Sequence, residues 1–181
     1  MKLGREEFEA LALQQLDLLY RVARKLTRDP GKAEDLVQET YLRAIRGRSG
    51  FDLQEFGIRP WLLRILHNLY VSKGEREARQ PAAVEEQKLE AADSGHDGAA
   101  LPIDPASFDA MDEQIVAALD RLPKEYQTVM LLWAVEDFSY KEIAAALDVP
   151  IGTVMSRLHR ARQRLAEDLR GYAANEGIIR E

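Results

Sequence analysis

The chain has 181 residues, is 46% hydrophobic and 31% charged, and carries a net charge of −6, which suits one ordinary soluble domain or two small ones. It has no cysteine, which excludes disulfides and thiolate metal sites and fits a reducing cytoplasm. The N-terminus MKLGREEFEALALQQLDLLY lacks the apolar core of a signal peptide, and no stretch approaches the ~20 apolar residues of a membrane span, so direct membrane insertion is not expected.

In chain order, Phe8, Leu11, Leu16, Leu19, Val22, Ala23 and Leu26 recur near helical spacing and predict one long helix, ending near Asp29-Pro30-Gly31. A second helix follows from Lys32 to about Arg46, with Leu36, Val37, Tyr41, Leu42 and Ile45 inward. GRSGFDLQEFG reads as an irregular loop. A third helix starts near Pro60, a residue suited to a first turn, and runs through WLLRILHNLYVSKGERE. The span from about Ala78 to Asp109 holds Pro81, Pro102 and Pro105 and shows no lasting periodicity, apart from a short helix allowed at Val84–Ala92. Between Ala78 and Glu113 two basic residues face nine acids, so the acidity of the chain is concentrated there and the remainder is close to neutral.

Four more helices are predicted beyond it: Asp112–Leu122, Pro123 to about Val135, one opened by the capping-box pattern Ser139-Tyr-Lys-Glu142, and one beginning near Pro150. The fold class is therefore all-α: two small helical domains, 1–77 and 110–172, joined by a flexible acidic linker at 78–109 and followed by a tail at 173–181. The last helix holds GTVMSRLHRARQRL, which has four arginines and no acid. At about 100° per residue, Val154, Leu158, Ala161 and Leu165 form one apolar stripe, expected to pack on Ile143, Ala144 and Leu147. Ser156, His159, Arg160 and Gln163 point the opposite way, flanked by Thr153, Arg157 and Arg164 on one side and Met155 and Arg162 on the other. Two such helices joined by the short turn Leu147-Asp-Val-Pro150, which lacks a glycine, match a helix-turn-helix whose second helix enters a DNA major groove.

SYKEIAAALDVPIGTVMSRLHRARQRL, with LPKEYQTVMLL before it, resembles region 4 of group IV (extracytoplasmic-function, ECF) sigma factors of the sigma-70 family. AEDLVQETYLRAI and RPWLLRILHNLY resemble region 2 of the same family, in the same order. The resemblance implies a promoter reader that recruits core RNA polymerase and starts transcription. Region 4 would read the −35 element through Lys141, Thr153, Ser156, Arg157, His159, Arg160 and Arg162. Met155 departs from the basic or polar residue common there. Region 2 would recognise and melt the −10 element through Phe51, Phe56, Trp61, Arg64, Asn68 and Lys73, although SKGER replaces the family's usual residues after the asparagine. Asp35, Leu36, Gln38 and Glu39 of DLVQE would dock on the clamp helices of the largest polymerase subunit, with the flap of the second largest as a further contact. The linker would thread toward the RNA exit path, and an anti-sigma factor would restrain the protein.

Two other classes remain open at the level of sequence. A stand-alone dimeric helix-turn-helix regulator would use the same C-terminal helices, but the N-terminal domain offers neither a heptad seam nor a ligand-pocket signature. Catalysis is disfavoured: His67, His96 and His159 are far apart, no HExxH, phosphate loop or nucleophile elbow occurs, and no cofactor, metal or small-molecule substrate is implied.

Overall fold

The structure, a computed structural model, describes residues 3–52, 56–77 and 113–170. The expected linker, the short helix at Val84–Ala92 and the tail lie outside these residues. Among the described residues there are eight α-helices and no strand: α1 (Arg5–Leu13), α2 (Leu16–Thr27), α3 (Pro30–Gly47), α4 (Arg59–Glu77), α5 (Glu113–Asp120), α6 (Lys124–Ala134), α7 (Tyr140–Leu147) and α8 (Ile151–Asp168). A single 3₁₀ turn, Arg48–Gly50, follows α3.

The long first helix expected from periodicity is two helices. The chain leaves α-geometry at Gln15 (φ −94°, ψ 2°), which turns Phe8 and Ala12 of α1 and Leu19, Val22, Ala23 and Leu26 of α2 toward one core. The same break puts Leu16, expected inward, on the surface. Period alone cannot register such a break, because both halves keep the same spacing. The next junction is strongly specified. Arg28 closes α2 in the left-handed region (φ 59°), and the Asp29 carboxylate then accepts the Lys32 backbone N–H at 2.8 Å, with Pro30 in the first turn of α3. On α3, Leu36 and Val37 are buried and Tyr41 is half-buried, but Leu42 and Ile45 face solvent rather than inward. Beside the core formed by Phe8, Leu19, Leu36, Leu62 and Leu66, the rings of Phe8, Phe51 and Trp61 stack in a cluster with centroids 5.0–5.8 Å apart.

The C-terminal helices follow the expected order. Ser139 caps α7 as a full capping box: its hydroxyl accepts the Glu142 N–H, and its own N–H donates to the Glu142 carboxylate at 2.9 Å. The Ser139 hydroxyl also donates to the Glu142 carboxylate at 2.7 Å; that bond first, then the backbone N–H and the nearby Arg59 charge, hold the Glu142 carboxyl below its ordinary value against the opposing effect of burial. Asp148 takes the left-handed position after α7 (φ 57°, ψ 45°) that a glycine often fills in such turns, and its N–H closes on the Ala144 carbonyl. The stripe Val154, Leu158, Ala161 and Leu165 is buried as expected, and it packs on α6 as well as on α7.

The two helical groups are not separate beads. Helix α4 lies between them. Leu62, Leu66 and Leu69 enter the N-terminal core, while Arg64, His67, Tyr70 and Gly74, at steps of three and four, run along the C-terminal group. His67 Nδ1 lies 3.0 Å from Thr128 Oγ1, with both side chains buried. The Thr128 hydroxyl hydrogen goes to the Lys124 carbonyl (3.1 Å), so His67 must be the donor through Nδ1–H. Tyr70 donates to Gln127 and accepts from Lys124 Nζ, which sits 4.3 Å above the Tyr70 ring. Gly74 gives the Lys124 stem its room: a Cβ there would lie 2.7 Å from Lys124 Cε.

Burial, aided by the positive charge of Arg157, lowers the His67 pKa to about 4 from an ordinary ~6.5. The docked fold therefore keeps this ring neutral at pH 7. Below pH 6.5 the released ring takes a proton that the docked ring refuses. Stability is complete above that pH and declines as pH falls toward 4, by on the order of 3 kcal/mol at the acid limit. His67→Gln removes the titration and keeps a polar partner for Thr128. The difference in urea midpoint between wild type and variant should be flat above pH 7 and shift against wild type below pH 6.5. A difference flat down to pH 5 would show that His67 is solvated.

Candidate nucleic-acid interface

Helix α8 combines two incompatible surfaces along one axis. Its buried stripe fixes rotation, because turning the helix by one position would bury a donor without a partner. With that rotation set, Ile151, Met155, Ser156, His159 and Gln163 face solvent, and Arg160 and Thr153 are half-exposed beside them. No acid lies on the helix between Ile151 and Ala166. The Ser156 hydroxyl donates to the Thr153 carbonyl at 3.0 Å, which leaves its lone pairs facing outward as acceptors.

The arginines are not equivalent. Arg162 sits 5.5 Å above the Trp133 ring and Arg164 5.3 Å above the Tyr126 ring. Each is braced against its own domain by an aromatic face, which shortens its reach but orients the guanidinium. Arg157 is half-buried and lies close enough to His67 to depress its pKa, so it looks toward α4. Of the candidate −35 residues, Lys141, Ser156 and His159 are exposed with Arg160 and Thr153 next to them, while Arg157 is half-buried and Arg162 is held over the Trp133 ring.

The candidate −10 residues divide more sharply. Phe51 and Trp61 belong to the aromatic cluster; Phe51 is only 4% exposed. Phe56 and Arg59 line a groove closed on the other side by Phe138, Glu142 and Ala146 of the C-terminal group. Arg64 Nη1 pairs with Asp148 Oδ2 at 3.1 Å. Asn68 and Lys73 are exposed.

On α3, Asp35 and Gln38 are exposed and Glu39 is half-exposed, its carboxylate held by Arg43 at 3.0 Å. Leu36 lies on the opposite side, 1% exposed, and contributes to the core that holds this face in shape. Leu42 and Ile45 continue the Asp35 face by helical spacing and are 48% and 38% exposed. The surface is thus acid and amide at one end and apolar at the other. Sequence reasoning placed these two residues in the core, because a helix with apolar residues on two faces offers no period to tell which face is wet.

Glu136 and Asp148 carried no sequence signal of their own. The Glu136 side chain, 6% exposed, accepts from Arg21 at 3.1 Å and Lys25 at 3.4 Å on α2. These pairs bridge 115 and 111 positions of sequence, a separation that composition and spacing cannot reveal.

Residues 11–80 match the family Sigma-70 region 2, and residues 112–165 match Sigma-70, region 4. The chain is 34% identical over 177 residues to the ECF RNA polymerase sigma factor SigE of Mycolicibacterium smegmatis, covering 92% of this chain and 63% of that one. It is 32% identical over 142 residues to the ECF RNA polymerase sigma factor EcfG of Rhodopseudomonas palustris, covering 78% of this chain and 73% of that one. Among solved structures it is similar to the sigma factor RpoE from Bartonella quintana, determined in complex with the anti-sigma factor NepR, with a TM-score of 0.62, 28% identity, and coverage of 91% of this chain and 98% of that one. Both helical groups and their order therefore have one source: the chain belongs to the ECF RNA polymerase sigma factors of the sigma-70 family.

Proposed function

We propose that this chain binds bacterial core RNA polymerase through the α3 face and carries it to promoters whose −35 element is read by α8 and whose −10 element is held by α4 and the loop before it. One observation carries the reading. A single chain presents an outward donor face on a helix-turn-helix and, on a different domain, an outward face of Asp35, Gln38 and Glu39 continued by Leu42 and Ile45. Acids and an amide supply orientation, and the two exposed apolar side chains supply the desolvated centre that a stable protein contact needs. The clamp helices of the largest subunit are the proposed partner there, and the flap of the second largest is the proposed partner of region 4. The protein does no chemistry itself and acts in the cytoplasm, where polymerase and promoter are. Because the RpoE relative was solved with an anti-sigma factor, an inhibitor of that kind is the proposed restraint on this chain too.

Net acidity and local basicity fit this division of labour. Non-specific DNA affinity comes mainly from neutralised phosphates. A chain of charge −6 with one basic helix binds DNA weakly alone, and two weak readers become specific when the polymerase holds them together.

Size-exclusion chromatography with sigma-free core polymerase tests the reading. The wild type should co-elute, and Asp35→Ala with Glu39→Ala should abolish co-elution while leaving the fold intact. A folded wild-type chain, free of inhibitor, that fails to co-elute would favour the stand-alone dimeric regulator. For DNA, Arg160→Ala should lose on the order of 1–3 kcal/mol of discrimination between the chosen −35 duplex and its mismatched variants. Equal loss on every duplex would make Arg160 a phosphate contact.

Met155 is 48% exposed, Ile151 one turn earlier is 43% exposed, and neither side chain forms a strong hydrogen bond. Apolar groups in a major groove read the thymine methyl. Replacing thymine by deoxyuridine in the −35 duplex should weaken wild-type binding about threefold at a contacted position, roughly the worth of one buried methyl, and should leave Met155→Gln unaffected. An equal response in both proteins would exclude the contact.

A further inference from the structure

We propose that two aromatic rings of α6, Trp133 and Tyr126, are positioning residues for DNA: they preset Arg162 and Arg164 as phosphate contacts on the two strands that border the −35 major groove. The inference rests on the reading of α8 as the −35 helix and goes beyond it. It gives Arg164 a contact, separates arginines that hold the backbone from side chains that read bases, and assigns a role to rings on the helix behind the reading one.

Geometry places the two arginines on opposite walls of the groove. With residues about 100° apart around the helix, Arg162 leaves α8 roughly 70° to one side of the buried stripe Val154, Leu158, Ala161 and Leu165, and Arg164 roughly 90° to the other. Ser156 and Gln163 point almost directly away from that stripe. A helix with its side chains is about 10–12 Å across, and the major groove is about 12 Å wide. When the outward face meets the base edges, the flanks meet the walls, and the walls are phosphate. Helix α6 supports this arrangement from behind. Tyr126 and Trp133 stand two turns apart on it, hence on one face and about 10 Å from each other. That spacing spans the width of α8, so each flank has a ring. The guanidinium carbon of Arg162 lies 5.5 Å from the centre of the Trp133 ring, and that of Arg164 lies 5.3 Å from the centre of the Tyr126 ring. Val129 and Met130, between the rings in sequence, are buried, and α6 packs directly on α8.

A ring is a different kind of anchor from a carboxylate. Arg43 on α3 shows the alternative: its Nε donates to Glu39 at 3.0 Å, so charge and donor are both engaged inside the protein. An aromatic ring attracts the cation through its electron cloud and takes up no N–H. Arg162 and Arg164 therefore keep their charge and their forked donors for phosphate oxygens, which accept two parallel N–H bonds from one guanidinium. What the rings remove is freedom. An arginine loses much rotamer entropy when it is fixed, and a side chain already held in place loses less of it on binding. Trp133 and Tyr126 are themselves half-buried, so the domain holds the rings in turn. Base reading is left to the outward Ser156, His159 and Gln163, with Arg160 beside them.

The test uses the holoenzyme of this chain and a −35 duplex that it selects from a randomised pool, cut short of the −10 element. Single phosphates are replaced in turn by neutral methylphosphonate. Wild type should lose affinity about three- to tenfold at one phosphate on each strand. Arg162→Ala should be indifferent to one of these replacements and Arg164→Ala to the other, and each should lower the salt slope by about 1. Both should weaken the selected duplex and its mismatched variants alike, because phosphates carry no sequence. Trp133→Leu should weaken binding about threefold in the wild-type background and not at all in Arg162→Ala, with the salt slope kept and most of the loss recovered by Trp133→Phe. Tyr126→Leu and Tyr126→Phe should behave in the same way toward Arg164→Ala. A loss on Trp133→Leu that is equal with and without Arg162 would show that the ring supports the fold rather than the arginine, and would overturn the positioning role. Arginine variants with wild-type responses to every methylphosphonate would overturn the phosphate contacts while leaving the −35 reading in place. A holoenzyme that forms but selects no sequence would remove the −35 reading, and the contacts with it.

Discussion

The arrangement depends on one constraint: α4 must be dry on two sides. Its sequence, RPWLLRILHNLYVSKGERE, puts leucines toward the N-terminal core and His67, Tyr70 and Gly74 toward α6. A helix apolar around much of its circumference is stable only when covered on more than one face. The N-terminal helices cover one side and the C-terminal group covers the other. Polar groups in this seam are tolerated because each has a partner: the histidine donates to a threonine whose own proton is committed elsewhere, and the tyrosine both donates and accepts. The pairing that holds the domains together thus occupies the helix proposed to hold the −10 element.

Asp148 shows how one residue can answer two demands. The turn between α7 and α8 needs a left-handed backbone, which glycine meets most cheaply and aspartate tolerates better than most side chains. Glycine would close the turn and contribute nothing else. Aspartate closes it and also carries a carboxylate to Arg64 on the other domain. The helix-turn-helix geometry and the interdomain contact therefore meet at one position. Phe8, Phe51 and Trp61 show a related economy of structure: their ring cluster fixes the start of α4, and with it the direction in which Arg64 and Asn68 leave the helix.

The α8 face was legible before any coordinates because its pattern is local. Val154, Leu158, Ala161 and Leu165 repeat at helical spacing, the intervening residues are donors, and burial of the stripe follows from the period alone. The Ser139–Glu142 cap was legible for the same reason, since both of its hydrogen bonds span three residues. The break at Gln14–Gln15 was not, because apolar spacing continues across it. The outward turn of Leu42 and Ile45 was not, because α3 has apolar residues around more of its surface than one core can cover. Phe51 and Leu36 share a lesson: a residue inside a functional motif can serve that motif from the core, by holding the surface in place.

Amino-acid order by itself determined an all-α chain of seven helical segments, the first of which the structure divides in two, the basic donor face of the last helix and the concentration of acid between the two groups, because each follows from neighbours a few positions apart or from composition. Only the tertiary structure decided which side of α4 meets region 4, that Glu136 is buried between Arg21 and Lys25, and that Arg64 is engaged by Asp148. Those contacts join positions 84 to 115 apart. Nothing in local spacing encodes them; they exist because two partly apolar surfaces on one chain lower their free energy by excluding water from each other, and charges at the rim set the register in which they meet.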